Sequence, residues 1–257
     1  MDVAVPWQAL RLAVRGPSAR SVECDCTMGP RRRTHEHTNQ RMEHDMVGLT
    51  NDSNRVVVGV TGATGVVYAV RALDVLRELG VETHLVVTRS AALTRDYETD
   101  LSKEELESHA DVSYPFSDVG APLSSGSFRT RGMLIAPTSM RTLAEIATGV
   151  TSSLVSRAAD VTLKERRPLV LMVREAPLNL VHLRNMAAVT EAGATVFPPV
   201  PAFYHRPTTI EEIVDHSVGR ALDQLGIHTD LFPRWSEDLR RRVRHGGSDA
   251  AHAETAD

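Results

Sequence analysis

Leu163-Lys164-Glu165-Arg166-Arg167-Pro168-Leu169-Val170-Leu171-Met172-Val173-Arg174-Glu175-Ala176-Pro177 joins a basic helix end to an unbroken apolar run and then to a charged exit. A strand buried on both faces of a parallel sheet reads as a continuous apolar run, and Leu169 to Val173 fits that description. The adjacent Arg174 and Glu175 therefore fall at the carboxyl end of the strand, where open α/β sheets collect ligands. The same design recurs upstream. Val56-Val57-Val58-Gly59-Val60-Thr61-Gly62-Ala63-Thr64-Gly65 is a strand breaking into a Gly-rich turn, a geometry that offers backbone N–H groups to a phosphate.

Working outward from these two stretches, strands and helices alternate. Strands are predicted at 56–60, 82–87, 132–137, 169–173 and 194–197, and helices at 66–79, 91–110, 139–147, 152–166, 180–192 and 209–225. Residues 115–131, with Ser124-Ser125-Gly126-Ser127, read as a long ordered loop, a kind of segment that often carries function. The pattern predicts an α/β fold, a three-layer doubly wound parallel sheet of the Rossmann-like or flavodoxin-like type. Residues 1–54 mix Pro, Gly, Ser and an Arg31-Arg32-Arg33 run without an apolar period, and are expected to form a disordered extension. The folded domain is expected over 55–236, with a flexible tail over 237–257.

Composition narrows the function. The chain has 257 residues, 42% apolar, with a formal net charge of −4, enough for one substantial core and without the basic excess of a nucleic-acid binder. No apolar run reaches the length of a membrane span or forms a secretory leader, so a cytoplasmic protein is expected. Cys24 and Cys26 lie in the polar extension and support no disulfide framework. With His35 and His37 they make four potential metal ligands, but their spacing matches no common zinc site, and no metal is expected. Of the 29 basic residues only Lys103 and Lys164 are lysines. Lys103, in Ser102-Lys103-Glu104-Glu105, reads as a solvated helix residue.

The motifs admit more than one reading. Thr61-Gly62-Ala63-Thr64-Gly65 is half of a dinucleotide fingerprint, because Tyr68 stands where a third glycine would let helix and strand approach closely. The second strand exits through Val87-Thr88-Arg89 with no carboxylate for a ribose diol, although Arg89 is placed for a 2′-phosphate. No tyrosine precedes a lysine by four positions, which disfavours a short-chain reductase. Thr64 and Thr88 put hydroxyls at strand ends and suit a phosphorylated mononucleotide better. Pro137-Thr138-Ser139-Met140-Arg141-Thr142 opens a helix; Ser139 is either an ordinary N-cap or part of an anion site. Arg174 and Glu175 read alone as a surface pair, Arg157, Lys164 and Arg220 as solvated helix charges, and Tyr204 as a half-buried turn residue.

Taken together, Thr-Gly-Ala-Thr-Gly at 61–65, Ser-Gly-Ser-Phe at 125–128, Ser-Met-Arg-Thr-Leu at 139–143, the run from Ala159 to Leu171, Arg-Glu-Ala-Pro-Leu at 174–178 and Pro-Ala-Phe-Tyr-His-Arg-Pro at 201–207 resemble the UbiX-type flavin prenyltransferases. The resemblance runs from about Arg55 to Trp235. It implies reduced FMN as prenyl acceptor, held by Gly62, Ala63, Thr64, Thr88, Ser139, Met140, Arg141, Thr142 and Arg174. It implies dimethylallyl phosphate as donor, with Arg157, Tyr204, Arg220 and Trp235 around it and Lys164 and Glu175 as catalytic groups. It further implies a homo-oligomer, typically a dodecamer whose sites draw on neighbouring subunits, and delivery of prenylated FMN to a UbiD-type decarboxylase. Threonine at 64, 88 and 138 departs from the serine or cysteine common in the family, and the methyl groups of Thr64 and Thr88 are expected to narrow the flavin site. A flavin-dependent cysteine decarboxylase and a non-catalytic FMN carrier are the alternatives. The first would bring a Pro-x-Met-Asn-x-x-Met-Trp segment that the chain lacks, and the second has no use for the Arg174-Glu175 and Lys164 constellation.

Overall fold

The computed structural model describes residues 54–235. The expected extension, its Cys24, Cys26, His35 and His37, and the tail lie outside the described residues.

Six parallel strands form one sheet: β1 Arg55–Val60, β2 Glu82–Val87, β3 Val112–Pro115, β4 Gly132–Thr138, β5 Leu169–Val173 and β6 Thr195–Val196. Their order is β3-β2-β1-β4-β5-β6. The chain winds outward from β1 to one edge and then returns to wind outward from β4 to the other. The sheet reverses direction between β1 and β4, the position at which doubly wound folds open a crevice.

In β1, β4 and β5 the apolar runs are continuous because the strand is covered on both sides. Val56, Val58 and Val60 of β1, Leu134 and Ala136 of β4, and Val170 and Met172 of β5 face one core, shared with helices α1 Val66–Glu78 and α7 Ile210–Asp223. Val57, Met133, Ile135, Leu169 and Leu171 face the other, closed by α4 Met140–Thr148, α5 Leu154–Lys164 and α6 Leu180–Glu191. Alternate side chains point to opposite faces, so every second apolar residue serves a different layer.

Two expectations need revision. The single helix expected over 91–110 is two, α2 Arg89–Glu98 and α3 Lys103–Ser108, because Ser102 starts a fresh helix through a reciprocal capping box with Glu105. The strand β3 lies in a stretch with no strand expectation; its four residues alternate only weakly and end on Pro115, which is tolerated because β3 is an edge. The third glycine missing from the fingerprint is explained by Gly65, whose left-handed φ of 113° leaves the Tyr68 ring 2.8 Å from where a Cβ would stand.

The carboxyl ends of β1 and β4 are stitched by one buried hydroxyl. Thr61 Oγ1 donates to Pro137 O at 2.8 Å and accepts from Ser139 N at 2.7 Å. Thr61→Val keeps the volume and removes both bonds. It is expected to cost about 2 kcal/mol, read as a fall in Tm of about 6 °C.

Candidate active site

The exits of four neighbouring strands form a continuous row. Thr88 N donates to Val60 O at 3.0 Å, Ser139 N to Thr61 Oγ1 at 2.7 Å, and Arg174 N to Thr138 O at 3.2 Å. Loops after β2, β1, β4 and β5 are thereby fixed side by side along the carboxyl edge. Gly62 permits this closeness, since a Cβ there would stand 2.4 Å from Ser90 at the start of α2.

Two of these exits are helix starts with free donors. Thr88 caps α2 by accepting from Ala91 N at 3.2 Å, and Ser139 caps α4 by accepting from Thr142 N at 3.3 Å. Both caps are therefore real, yet each leaves the first amides of its helix, those of Arg89 and Ser90 and of Met140 and Arg141, without an intrahelical acceptor. The Ser139 hydroxyl also meets that of Thr142 at 3.2 Å. Thr138, by contrast, is buried and turns its hydroxyl to Ile135 O at 2.8 Å, so its side chain belongs to the strand and not to the crevice.

The Gly-rich turn differs from its sequence expectation. Its last amide is not offered to a phosphate, because the Glu98 carboxylate at the end of α2 takes the donors where the turn enters α1, accepting from Gly65 N at 2.9 Å and Val66 N at 3.0 Å. A negative side chain at the positive end of α1 satisfies those orphan donors and repels a second anion. Nothing local in the sequence marks Glu98 for this position.

Thr64, Glu98 and Arg174 share a cleft of about 440 Å3 with Pro199 and Ile210. The Arg174 guanidinium makes no hydrogen bond or ion pair among the described residues, and is thus an exposed, uncommitted cation at the crevice mouth. Glu175 is exposed beside it, accepting from Ala176 N at 3.0 Å. Met140 packs on the second core, whereas Arg141 pairs with Glu145 at 3.0 Å on an exposed helix face. Arg89 lies over the Phe116 ring at 4.7 Å, facing away from the β1 turn, which removes it from the 2′-phosphate position.

The remaining predicted residues form two separate patches. Arg157 and Lys164 of α5 both reach the segment around the short 3-10 turn Pro122–Ser124. Arg157 holds Ser124 O at 3.2 Å and Asp160 at 2.7 Å, and Lys164 pairs with Glu165 beside Gly126. Lys164 sits before β5 and Arg174 after it, so the five-residue strand, about 16 Å long, lies between them. On the third patch the Tyr204 hydroxyl is hydrogen-bonded to His216 Nε2 at 2.9 Å, and the Trp235 ring stands 5.5 Å from Tyr204. Arg220 follows one turn along α7, 3.7 Å from Asp223.

Comparison with known proteins supplies the family. Residues 47–222 match the Flavoprotein family. The chain is 53% identical over 181 residues to the flavin prenyltransferase UbiX of Neisseria meningitidis, covering 70% of this chain and 96% of that one. It is 50% identical to the enzyme of the same name from Thauera aromatica, covering 74% and 97%. Among solved structures, AnUbiX (PadA1) in complex with FMN and dimethylallyl pyrophosphate superposes with a TM-score of 0.71 at 51% identity, covering 72% of this chain and 98% of that one. A dodecameric FMN-dependent UbiX-like decarboxylase from Escherichia coli O157:H7 gives 0.69 at 48%, covering 71% and 99%.

The chain belongs to the flavin prenyltransferase family. The residues present fit a flavin mononucleotide: two helix starts with open amides, the hydroxyls of Thr64, Thr88, Ser139 and Thr142, and an arginine unpaired among the described residues, all along the carboxyl edge of the sheet, are a donor set for a phosphate and a polar ring edge.

The third patch carries a group with no sequence signal of its own, His216. Burial first, and then the positive charge of His205 and Arg220, pushes its pKa below the usual histidine value. His205 stacks on it with ring centroids 4.9 Å apart, so charging both imidazoles is costly. The unfolded chain takes up this proton near pH 6.5 and the folded chain only below that, so the stability contributed is full above 6.5 and is lost as pH falls. His216→Phe is expected to reduce the change in urea midpoint between about pH 7.5 and pH 5.5 relative to the parent.

Proposed function

We propose that this chain is a flavin prenyltransferase that joins the dimethylallyl group of dimethylallyl phosphate to reduced FMN, working without a metal as part of a homo-oligomer. The observation that carries the reading is the row of strand exits ending in the uncommitted Arg174, on a chain about half identical to flavin prenyltransferases over the whole domain. Gly62, Ala63, Thr64, Thr88, the Ser139 to Thr142 helix start and Arg174 hold FMN. Because Glu98 already occupies the Gly65 and Val66 amides, the FMN phosphate is assigned to the open helix starts and Arg174.

Reduced FMN, as the prenyl acceptor, would supply N5, which exchanges its proton for the allylic carbon as the C–O bond of the donor breaks, and C6, which exchanges its proton for the tertiary carbon as a proton adds to the neighbouring alkene carbon. The leaving oxygen carries the electron pair, and Lys164, Arg157, Arg220 and the Tyr204 hydroxyl stabilise its charge. One well-aimed donor of this kind lowers a barrier by roughly 3 kcal/mol in comparable sites. Glu175 accepts the proton released from C6, directly or through the departed phosphate. Trp235 walls the allyl group beside Tyr204.

In one chain the length of β5 separates Lys164 and Arg157 from Arg174. The reading therefore requires a neighbouring copy to bring Lys164 and Arg157 against another copy's Arg174, as a dodecamer like that of the Escherichia coli relative would allow. Delivery of the product to a UbiD-type decarboxylase in the cytoplasm completes the proposal. Among the described residues no helix is long and apolar enough to cross a membrane.

Anaerobic incubation with reduced FMN and dimethylallyl phosphate, followed by mass spectrometry of the flavin, should show the added five-carbon unit. FMN recovered unchanged would favour the carrier, and CO2 released from a peptidyl cysteine would favour the cysteine decarboxylase. Lys164→Ala is expected to lower kcat by about a hundredfold with FMN affinity unchanged. Normal turnover would return Lys164 to the surface. Glu175→Gln is expected to bind FMN and form the carbon–nitrogen bond but to accumulate singly bonded product. Undiminished ring closure would remove Glu175 from the mechanism.

A further inference from the structure

The Tyr204 hydroxyl has a buried imidazole behind it. Tyr204 is 37% exposed and His216 only 8%, and the phenol oxygen lies 2.9 Å from His216 Nε2. The imidazole is held from several sides. Its backbone belongs to α7, the His205 ring stacks on it at 4.9 Å with the planes 10° apart, and the Phe232 ring meets it edge to face at 4.8 Å. Gly219, further along α7, makes room for Phe232, since a Cβ there would stand 2.6 Å from that ring. A side chain locked by packing in this way fixes the position of the group it binds.

The hydroxyl has one proton, and the direction of this hydrogen bond decides where that proton goes. Burial first, and then His205 and Arg220, disfavour the charged form of His216. A neutral imidazole has one donor nitrogen and one acceptor. With Nε2 as acceptor, Tyr204 spends its proton inward and shows an anion only lone pairs. With Nε2 as donor, the phenol oxygen is satisfied from behind and its proton is free to point outward. A phosphate oxygen outside selects the second arrangement, because O–H···O− is a charge-assisted bond and a bond accepted by the phenol oxygen strengthens the one it donates. Arg220 follows His216 by one turn of α7, so one helix carries both a cation and the support of the hydroxyl.

We propose that His216 is a positioning residue of the reaction: it donates from Nε2 to the Tyr204 oxygen and turns the phenol proton toward the leaving phosphate oxygen. It acts only through Tyr204 and touches neither flavin nor donor. The inference rests on the reading that Tyr204 serves that phosphate.

Steady-state turnover of dimethylallyl phosphate by the full chain, with reduced FMN saturating and prenylated flavin read by mass spectrometry, tests this. The side-chain amide of His216→Gln reaches the place of Nε2, whereas that of His216→Asn reaches only the place of Nδ1. His216→Asn is expected to lower kcat/KM for dimethylallyl phosphate about tenfold, and His216→Gln to stay within about threefold of the parent. FMN affinity should be unaltered in both. In a Tyr204→Phe background, itself impaired at least as much, His216→Asn should cost nothing further, whereas damage to packing would persist there. Should His216→Asn fail to fold by circular dichroism, His216→Phe, which keeps a ring and loses the bond, replaces it with the same expectations. Equal losses in His216→Gln and His216→Asn, parental turnover in His216→Asn, or a full further loss in the Tyr204→Phe background would each overturn the inference and leave the role of Tyr204 standing. Parental turnover in Tyr204→Phe would instead remove Tyr204 from the phosphate site, and His216 with it.

Discussion

The hydroxyl of Thr61 is the constraint on which the crevice depends. At a switch point the two central strands diverge, so their exits lose the regular ladder that holds a sheet together. Thr61 reinforces the one main-chain bond there, Thr61 N to Pro137 O at 3.3 Å, with its side chain, binding Pro137 O and Ser139 N at once from a fully buried position. Ser139 in turn starts α4, and Thr138 O receives Arg174 N from the next strand. Hydrogen bonds thus run laterally from Thr88 to Arg174 and set the spacing of every donor at the edge. A site assembled in this way is organised before a ligand arrives, and less ordering has to be offset by binding.

Charge is distributed along this edge as carefully as shape. Three helices begin here, each presenting a partial positive charge. Glu98 neutralises the first, at Gly65 and Val66, and the other two keep open amides. The α1 start is thereby made unattractive to an anion, while the α2 and α4 starts on either side of it keep their donors.

Much of this architecture is written locally in the chain. The strands β1, β4 and β5 announce themselves because burial on both faces demands apolar runs, and Gly65 marks a helix start through its backbone freedom and Ser139 through its capping hydroxyl. What escapes sequence reading is what depends on distant partners. The strand β3 is short and at an edge, so neither face imposes a strong pattern on it. Glu98 is an ordinary helix-end glutamate until the fold returns it to Gly65, and His216 an ordinary helix residue until Tyr204 and His205 close over it. Thr138 lies inside the Pro137 to Thr142 segment, yet only the fold shows that its hydroxyl is taken by Ile135 O of its own strand.

The same distinction explains why the cations of α5 and α7 can stand away from Arg174 in one chain and still act on one substrate in the proposed assembly. Each has a carboxylate on its own helix or immediately beyond it: Asp160 for Arg157, Glu165 for Lys164 and Asp223 for Arg220. Such partly exposed pairs are worth at most about 1 kcal/mol, so a phosphate can draw these cations away at little cost. Arg174 has no comparable partner, and a cation left uncommitted at a crevice lined by donors is already poised for an anion. Resting partners on the helix cations, and among the described residues none on Arg174, would limit repulsion between like charges in the proposed assembly without holding those cations back from the phosphate.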